Sequence, residues 1–200
     1  MSTEKFYAFK RFERFWHWSQ AALIITLMLS GFDLHGVYKI FGFEKAVDIH
    51  TFAAWSLVTL WVFAIFWHFT TGEWKQYIPS LQKVDAMFKY YLTGIFTNAP
   101  HPFRQSAERK HNPLQKLAYL FLWTVISPTL WITGWFYLFY DSWQDWGVDK
   151  YLSLEWVATF HIIGAFMMLV FLIAHIYLAT AGATPTAHIK AMITGWEETH

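Results

Sequence analysis

No cysteine occurs anywhere in the 200 residues. That absence excludes disulfides, thiolate zinc sites, iron–sulfur clusters and the C-x-x-C-H attachment of c-type haem in one step. Any redox group must be held by histidine, methionine or oxygen ligands, or bound without ligation. Charge is also scarce: 14% of residues are Asp, Glu, Lys or Arg, where soluble domains average about 25%. The scarcity is concentrated. No charged side chain lies in Phe15–Phe32, Ile49–Gly72, Leu117–Tyr140 or Trp156–Ile189, runs of 18, 24, 24 and 34 residues. A net charge of +1 gives no reason to expect nucleic acid as a partner.

What fills the gaps is apolar: 56% of the chain is hydrophobic and 22% aromatic. Roughly 20 apolar residues cross a bilayer core, so each run is long enough to span, and Gly182 and Pro185 end the last one. A soluble bundle would need a polar stripe on every helix, and no run has one. The sequence therefore predicts an all-α integral membrane protein, a four-transmembrane-helix bundle in one domain over 1–200. Its helices are expected at 12–34, 46–71, 114–140 and 154–181, with a cytoplasmic interfacial loop at 73–113. Four spans place both termini and that loop on one side. There stand Lys5, Lys10, Arg11, Arg14, Lys75, Lys83, Lys89, Arg104, Arg109, Lys110, Lys116 and Lys190, against Lys39, Lys45 and Lys150 opposite. By the positive-inside rule both termini are cytoplasmic. A cleavable signal peptide is not expected, because no small-residue cleavage site follows Arg14 and its span.

Between the spans, Trp74–Phe96 mixes aromatic and aliphatic residues with Lys75, Lys83 and Lys89, which suits a helix on the membrane surface or a face for a partner. Pro113 marks the start of the third helix, and Pro128 predicts a kink within it. The outer loop 141–155 is acidic, with Asp141, Asp145, Asp149 and Glu155. Thr184-Pro185 opens a short final helix that Gly195 closes. No internal repeat is visible.

The chain holds ten histidines, and an ionisable group inside a span is by default a functional candidate. His161 and His175 are 14 residues apart, about 40° around one helix and about 21 Å along it. Both face the bundle interior, His161 outer and His175 inner. His50 opens the second helix outside and His17 the first helix inside. Topology pairs His50 with His161 and His17 with His175, each pair spaced to sandwich a haem iron. Zinc would gather four ligands at one point. A di-metal carboxylate site needs acids that no span contains. Gly164 would let a flat macrocycle approach the backbone. His68 is the competitor, about 27 Å inward of His50 on the same face; it is a haem-propionate partner, an interfacial residue or a substitute for His17. His35, His101, His111, His188 and His200 fall in loops or tails and are expected to be solvated.

Arg14-Phe15-Trp16-His17-Trp18, then Leu29-Ser30-Gly31, is similar to the first helix of formate dehydrogenase gamma subunits and of nickel–iron hydrogenase cytochrome b subunits. The resemblance continues through His50, the His161–His175 interval, Asn112, Gln115 and Lys116, and the tail Ile189-Lys190-Ala191-Met192-Ile193-Thr194-Gly195. His111 and Pro113 depart from its pattern around the asparagine. It implies a di-haem cytochrome b membrane subunit of a respiratory oxidoreductase in a bacterial or archaeal cytoplasmic membrane. Two haem b would be held by His17, His50, His161 and His175. An outer-face iron–sulfur subunit and a catalytic subunit would be the partners. Quinone, menaquinone or ubiquinone, would exchange beside Asn112 and His175, with His111, Gln115 and Lys116 near it and His111, His68 and Lys116 lining a proton path. Asn112 also reads simply as a helix N-cap. The alternative function is a standalone transmembrane haem b reductase, ferric or ascorbate-linked.

Overall fold

The computed structural model describes residues 4–97, 99–103, 105–106, 109–182 and 184–199; Arg104 and His200, both weighed above, lie outside them. The chain divides into two compact units, each assembled from separated segments. The first comprises Met1–Ile78, Arg104–Lys110 and Ala179–His200, the second Pro79–Phe103 and His111–Leu178.

The first unit is built on a helical hairpin. Helix α1 covers Arg11–Leu34, and its start is fixed by Glu13, whose carboxylate accepts the Lys10 backbone N–H at 2.7 Å. At its end, Asp33 accepts the N–H groups of Ile40 and Phe41 at 3.2 and 2.6 Å and so folds the connector back. Helix α2 covers Phe43–Thr71 between Gly42 and Gly72, both at positive φ. Its buried face is Ala46, Ala53, Leu57, Trp61, Ala64 and His68, a stripe at helical spacing with small residues where α1 and α2 approach. Trp61 donates its indole N–H to Gln20 at 2.7 Å, so a polar pair within the apolar stretch is satisfied.

The all-α expectation needs one correction. Strand β1 (Glu4–Tyr7) pairs antiparallel with β2 (Trp196–Thr199), Tyr7 opposite Trp196. Four-residue strands are too short to carry a readable alternation. The ribbon instead forms because α1 holds the tail: Trp18 donates to the Met192 carbonyl at 3.0 Å and Arg14 to that of Ile193. Both carbonyls end a short helix at Ala187–Thr194, which begins after Thr186 rather than at Thr184-Pro185 and is closed by Gly195 at φ 91°. A Cβ there would stand 2.5 Å from the Tyr7 ring and 2.8 Å from the Phe9 carbonyl oxygen. His188 is not solvated, since it meets the buried Glu197 carboxylate at 3.1 Å.

In the second unit the surface stretch is a series of short pieces rather than one helix. Helix α3 (Val84–Lys89) runs on into a π turn, Tyr90–Gly94, after a break around Pro79. Leu81, Phe88, Leu92 and Phe96 are exposed. The third long helix begins as α4 (Pro113–Phe121), widens into a π turn at Leu122–Ile126 and continues as α5 (Ser127–Leu138). Pro128 has no N–H to give the carbonyl one turn back, and the π turn absorbs that lost bond where a kink was expected. The connector carries α6 (Trp143–Trp146), and α7 covers Leu154–Ala179; the final helix is α8. Phe43–Thr71, Pro113–Leu138 and Leu154–Ala179 are long and apolar enough to cross a membrane. Helix α1 carries Arg11, Glu13, Arg14 and Asp33 at its ends.

The chain at Lys110 is fastened within the first unit by buried charge. Lys110, 5% exposed, meets Glu13 at 2.9 Å and Glu73 at 2.9 Å, and Lys10 meets Glu73 at 2.7 Å. Burial alone would raise the Glu73 carboxyl, but the hydrogen bonds and charges of Lys10 and Lys110 outweigh it and hold the group below the usual range. Glu73 thus contributes stability above the ordinary carboxylate pKa, and that stability is lost as pH falls through the depressed value. Breaking a buried pair from one side costs roughly 3–5 kcal/mol, whereas removing both partners is nearly neutral. Lys110→Met is expected to lower the melting temperature in detergent and open the loop to protease. Adding Glu13→Gln should recover most of the loss, and Glu73→Gln should flatten the acid limb of stability. A Lys110→Met protein with unchanged melting would refute this account of the fastening.

Candidate functional site

Two of the four predicted histidines sit in the same kind of cradle. In the first unit, the Ser30 hydroxyl on α1 lies 2.7 Å from the Thr26 carbonyl and 3.0 Å from His50 Nδ1 on α2. In the second, the Thr133 hydroxyl on α5 lies 2.5 Å from the Thr129 carbonyl and 2.8 Å from His161 Nδ1 on α7. A hydroxyl has one proton, and a carbonyl can only accept. Each hydroxyl therefore gives its proton to its own helix and receives the Nδ1–H of the histidine. The neutral ring is thereby set with its lone pair on Nε2, the nitrogen that a metal would take.

The cradles match further. Glycine follows each hydroxyl, and a Cβ at Gly31 or Gly134 would stand 3.4 or 3.7 Å from the Cε1 of His50 or His161. Each histidine is the eighth residue of its helix. Tyr137, one turn beyond Thr133, stands edge-on to His161 at 5.6 Å. Gly164 does something other than expected: a Cβ there would fall 3.0 Å from Leu130 and 3.3 Å from Thr129. Its missing side chain lets α7 close on α5, and that face is filled by protein.

The remaining candidates are placed as follows. His17 stands edge-on to Trp18 at 5.3 Å, and His175 stacks on Phe171, one turn earlier, at 6.0 Å. His68 is 8% exposed, boxed by Trp16, Trp67 and Tyr77 with ring centroids at 5.0, 5.0 and 5.5 Å. Its Nδ1–H donates to the Ala64 carbonyl at 2.7 Å, and its Nε2 is buried with no hydrogen-bond partner among the described residues. It shares the tautomer of His50 and His161. Imidazole nitrogens set in this way are the kind of donor that iron in haem takes.

Asn112 is the N-cap of α4: its side-chain oxygen accepts the Gln115 N–H at 2.9 Å, and Gln115 returns a bond to the Asn112 N–H at 2.9 Å. Lys116 closes the first turn on the Asn112 carbonyl at 3.0 Å. The other end of Asn112, 2% exposed, donates to the Tyr91 hydroxyl at 2.8 Å. Tyr91 was not visible as a candidate in sequence, where it is one more aromatic of the surface stretch. Its carbonyl accepts from the Tyr177 hydroxyl at 2.9 Å. Burial pushes the Tyr91 phenol up to about 12, against the opposing bond from Asn112, so it remains a neutral hydroxyl. His111 stands edge-on to Tyr119 at 5.1 Å; His101 is exposed, as expected of a loop residue, and stands edge-on to Tyr90 at 4.7 Å. An apolar groove of about 470 Å³, walled by Phe121, Ile126, Phe166, Val170, Phe171 and Ala174 among others, runs between α4 and α7.

Asn112→Ala removes a cap and a buried hydrogen bond together and is expected to cost roughly 0.5–2 kcal/mol from the cap, with the Tyr91 bond in addition. Asn112→Ser keeps a capping oxygen but cannot reach Tyr91, so its loss should match that of Tyr91→Phe. Melting of the three variants checks the ranking, which fails if Ser is as damaging as Ala.

The family described as prokaryotic cytochrome b561 matches residues 8–195. The chain is 30% identical over 200 residues to the putative cytochrome YdhU of Escherichia coli K12, covering 96% of this chain and 75% of that one. It is 25% identical over 198 residues to the probable Ni/Fe-hydrogenase B-type cytochrome subunit of Cupriavidus necator, covering 86% and 78%. The subunit of the same description from Rhizobium leguminosarum bv. viciae is 25% identical over 216 residues, covering 94% and 87%. No solved structure matches the chain. With the match running through nearly the whole chain, from the residue after β1 to the glycine that closes α8, the chain belongs to the prokaryotic cytochrome b561 family, membrane proteins of the b cytochrome type.

Proposed function

We propose that this chain is a di-haem electron relay, anchoring a respiratory oxidoreductase in a bacterial cytoplasmic membrane. The observation that carries the reading is the matched cradle of His50 and His161, two imidazoles preset in the ligating tautomer. In this reading α1 is a fourth span: its 24 residues reach about 36 Å, against a hydrocarbon core of about 30 Å. The excess of Lys and Arg flanking the termini and the loop 73–113 supports a cytoplasmic location for all three.

His50 and His161 would hold the outer haem, and His17 and His175 the inner. Bound haem b would supply a one-electron couple. What the protein contributes is ligand orientation, exclusion of water and a route for protons. Near His175, Asn112, His111, Gln115 and Lys116 form the polar end of a quinone site and the α4–α7 groove takes its hydrocarbon tail. Tyr91 holds Asn112 in place. The relatives' description as hydrogenase subunits supports a catalytic oxidoreductase partner, with an iron–sulfur subunit on the outer face passing electrons to the outer haem. A second reading puts His68 in place of His17, favoured by the buried Nε2 of His68, which has no hydrogen-bond partner among the described residues.

The purified chain is expected to carry two low-spin haems b, extractable by acid–acetone because no thioether can form. A pyridine haemochrome assay giving one haem per chain ends the two-pair reading. His17→Ala should lose one low-spin signal, while His68→Ala should keep both. The reverse result makes His68 the ligand. Tyr91→Phe and Asn112→Ser should slow reduction of the inner haem by a quinol analogue roughly five- to 150-fold, the span of about 1–3 kcal/mol, with both haem spectra intact. Unchanged rates in both variants move the quinone site elsewhere. Co-purification with an iron–sulfur or molybdenum subunit decides against the standalone reductase.

A further inference from the structure

The two cradles have a consequence beyond ligand identity. A histidine that donates Nδ1–H to an acceptor becomes a more basic ligand through Nε2 and has its ring plane fixed. Whether the acceptor is strong depends on what else the oxygen does. Ser30 and Thr133 each commit their proton to a carbonyl of their own helix, Thr26 at 2.7 Å and Thr129 at 2.5 Å. Their oxygens are polarised by that bond and can offer only lone pairs to the imidazole. A Cβ at Gly31 or Gly134 would meet Cε1 of the ring at ordinary contact distance, so each histidine packs directly on the helix that carries its hydroxyl.

We propose that Ser30 and Thr133 are positioning residues that set the tautomer, plane and basicity of His50 and His161, and through them the reduction potential of one shared haem. The inference rests on the reading that these histidines hold the same iron. It adds that the two hydroxyls act on that iron as a matched pair. Electron donation from the ligands favours ferric iron, so each hydroxyl holds the potential of this haem down. Removing one acceptor removes its share and makes reduction easier. The other haem, held by neither His50 nor His161, does not respond.

The variants separate hydroxyl from shape. Ser30→Ala deletes the hydroxyl acceptor and leaves His50 its backbone hydrogen bond with Leu27, Thr133→Val replaces the hydroxyl with a methyl group of similar size, and Thr133→Ser keeps it and deletes the methyl. Each full-length protein is purified from membranes with its haems and titrated potentiometrically, and its low-spin EPR signals are recorded. Ser30→Ala and Thr133→Val should each shift the reduction equilibrium of the same haem toward the reduced form by two- to tenfold, up to about 59 mV. The EPR signal of that haem should move with it, and Thr133→Ser should retain the wild-type values. Loss of that haem from Thr133→Val with retention in Thr133→Ser supports the same role. The proposal is overturned if the two variants shift different haems, if neither shifts any, or if Thr133→Ser is as disturbed as Thr133→Val. Two haems with unmoved potentials sink this inference and spare the functional reading. A wild-type chain with a single haem sinks both.

Discussion

Inside a hydrocarbon layer a polar hydrogen must find its acceptor within the protein, because no water is present to take it. The long helices of this chain are organised around that constraint. Thr26, Ser30, Ser56, Thr59, Thr70, Thr71, Thr124 and Thr133 all return their hydroxyl proton to a carbonyl one turn back. Most of these bonds do nothing but hide a proton. At Ser30 and Thr133 the same bond also turns the oxygen into a pure acceptor facing a histidine on the next helix. A generic solution to membrane solvation thereby becomes a means of selecting a tautomer. It needs no charge, and the charge-free runs around both cradles offer none.

Where charge does enter, it is confined to the ends of helices and handled in groups. Glu13 caps α1 and meets Lys110; Lys110 meets Glu73; Glu73 meets Lys10. Each carboxylate has two cationic or N–H partners, the condition under which buried ions are tolerable.

Much of this was legible in sequence, for specific reasons. Charge-free runs located the long helices because exclusion of charge is the one property a bilayer enforces on every residue of a span. Asn112 followed by Pro113 and, three positions on, Gln115 declared a cap, and the cap is there. Other features were hidden. The β1–β2 ribbon depends on Arg14 and Trp18 gripping the end of α8, contacts between residues more than 170 positions apart. Tyr91 lies in a stretch where more than half of the residues are aromatic or aliphatic, so nothing marks it until Asn112 and Tyr177 meet it. His188 looks like a tail residue until β2 brings Glu197 beside it. Gly164 was visible as a glycine near a histidine, but which neighbour needed the space was a matter of packing.

The most instructive omission is the repeat. Ser30-Gly31 with His50 and Thr133-Gly134 with His161 are one pattern written twice, yet the separations differ, 20 residues against 28. The difference lies almost wholly in the connectors, 35–42 between α1 and α2 and 139–153 between α5 and α7, the second of which inserts α6. A search for self-similarity at fixed period cannot see through a variable loop, and loops are where length varies at small thermodynamic cost. What stays constant is measured from the helix ends: each hydroxyl near the last turn of its helix, each histidine eighth in the next. Two hairpins that obey the same rule set their histidines at the same distance from their own turns.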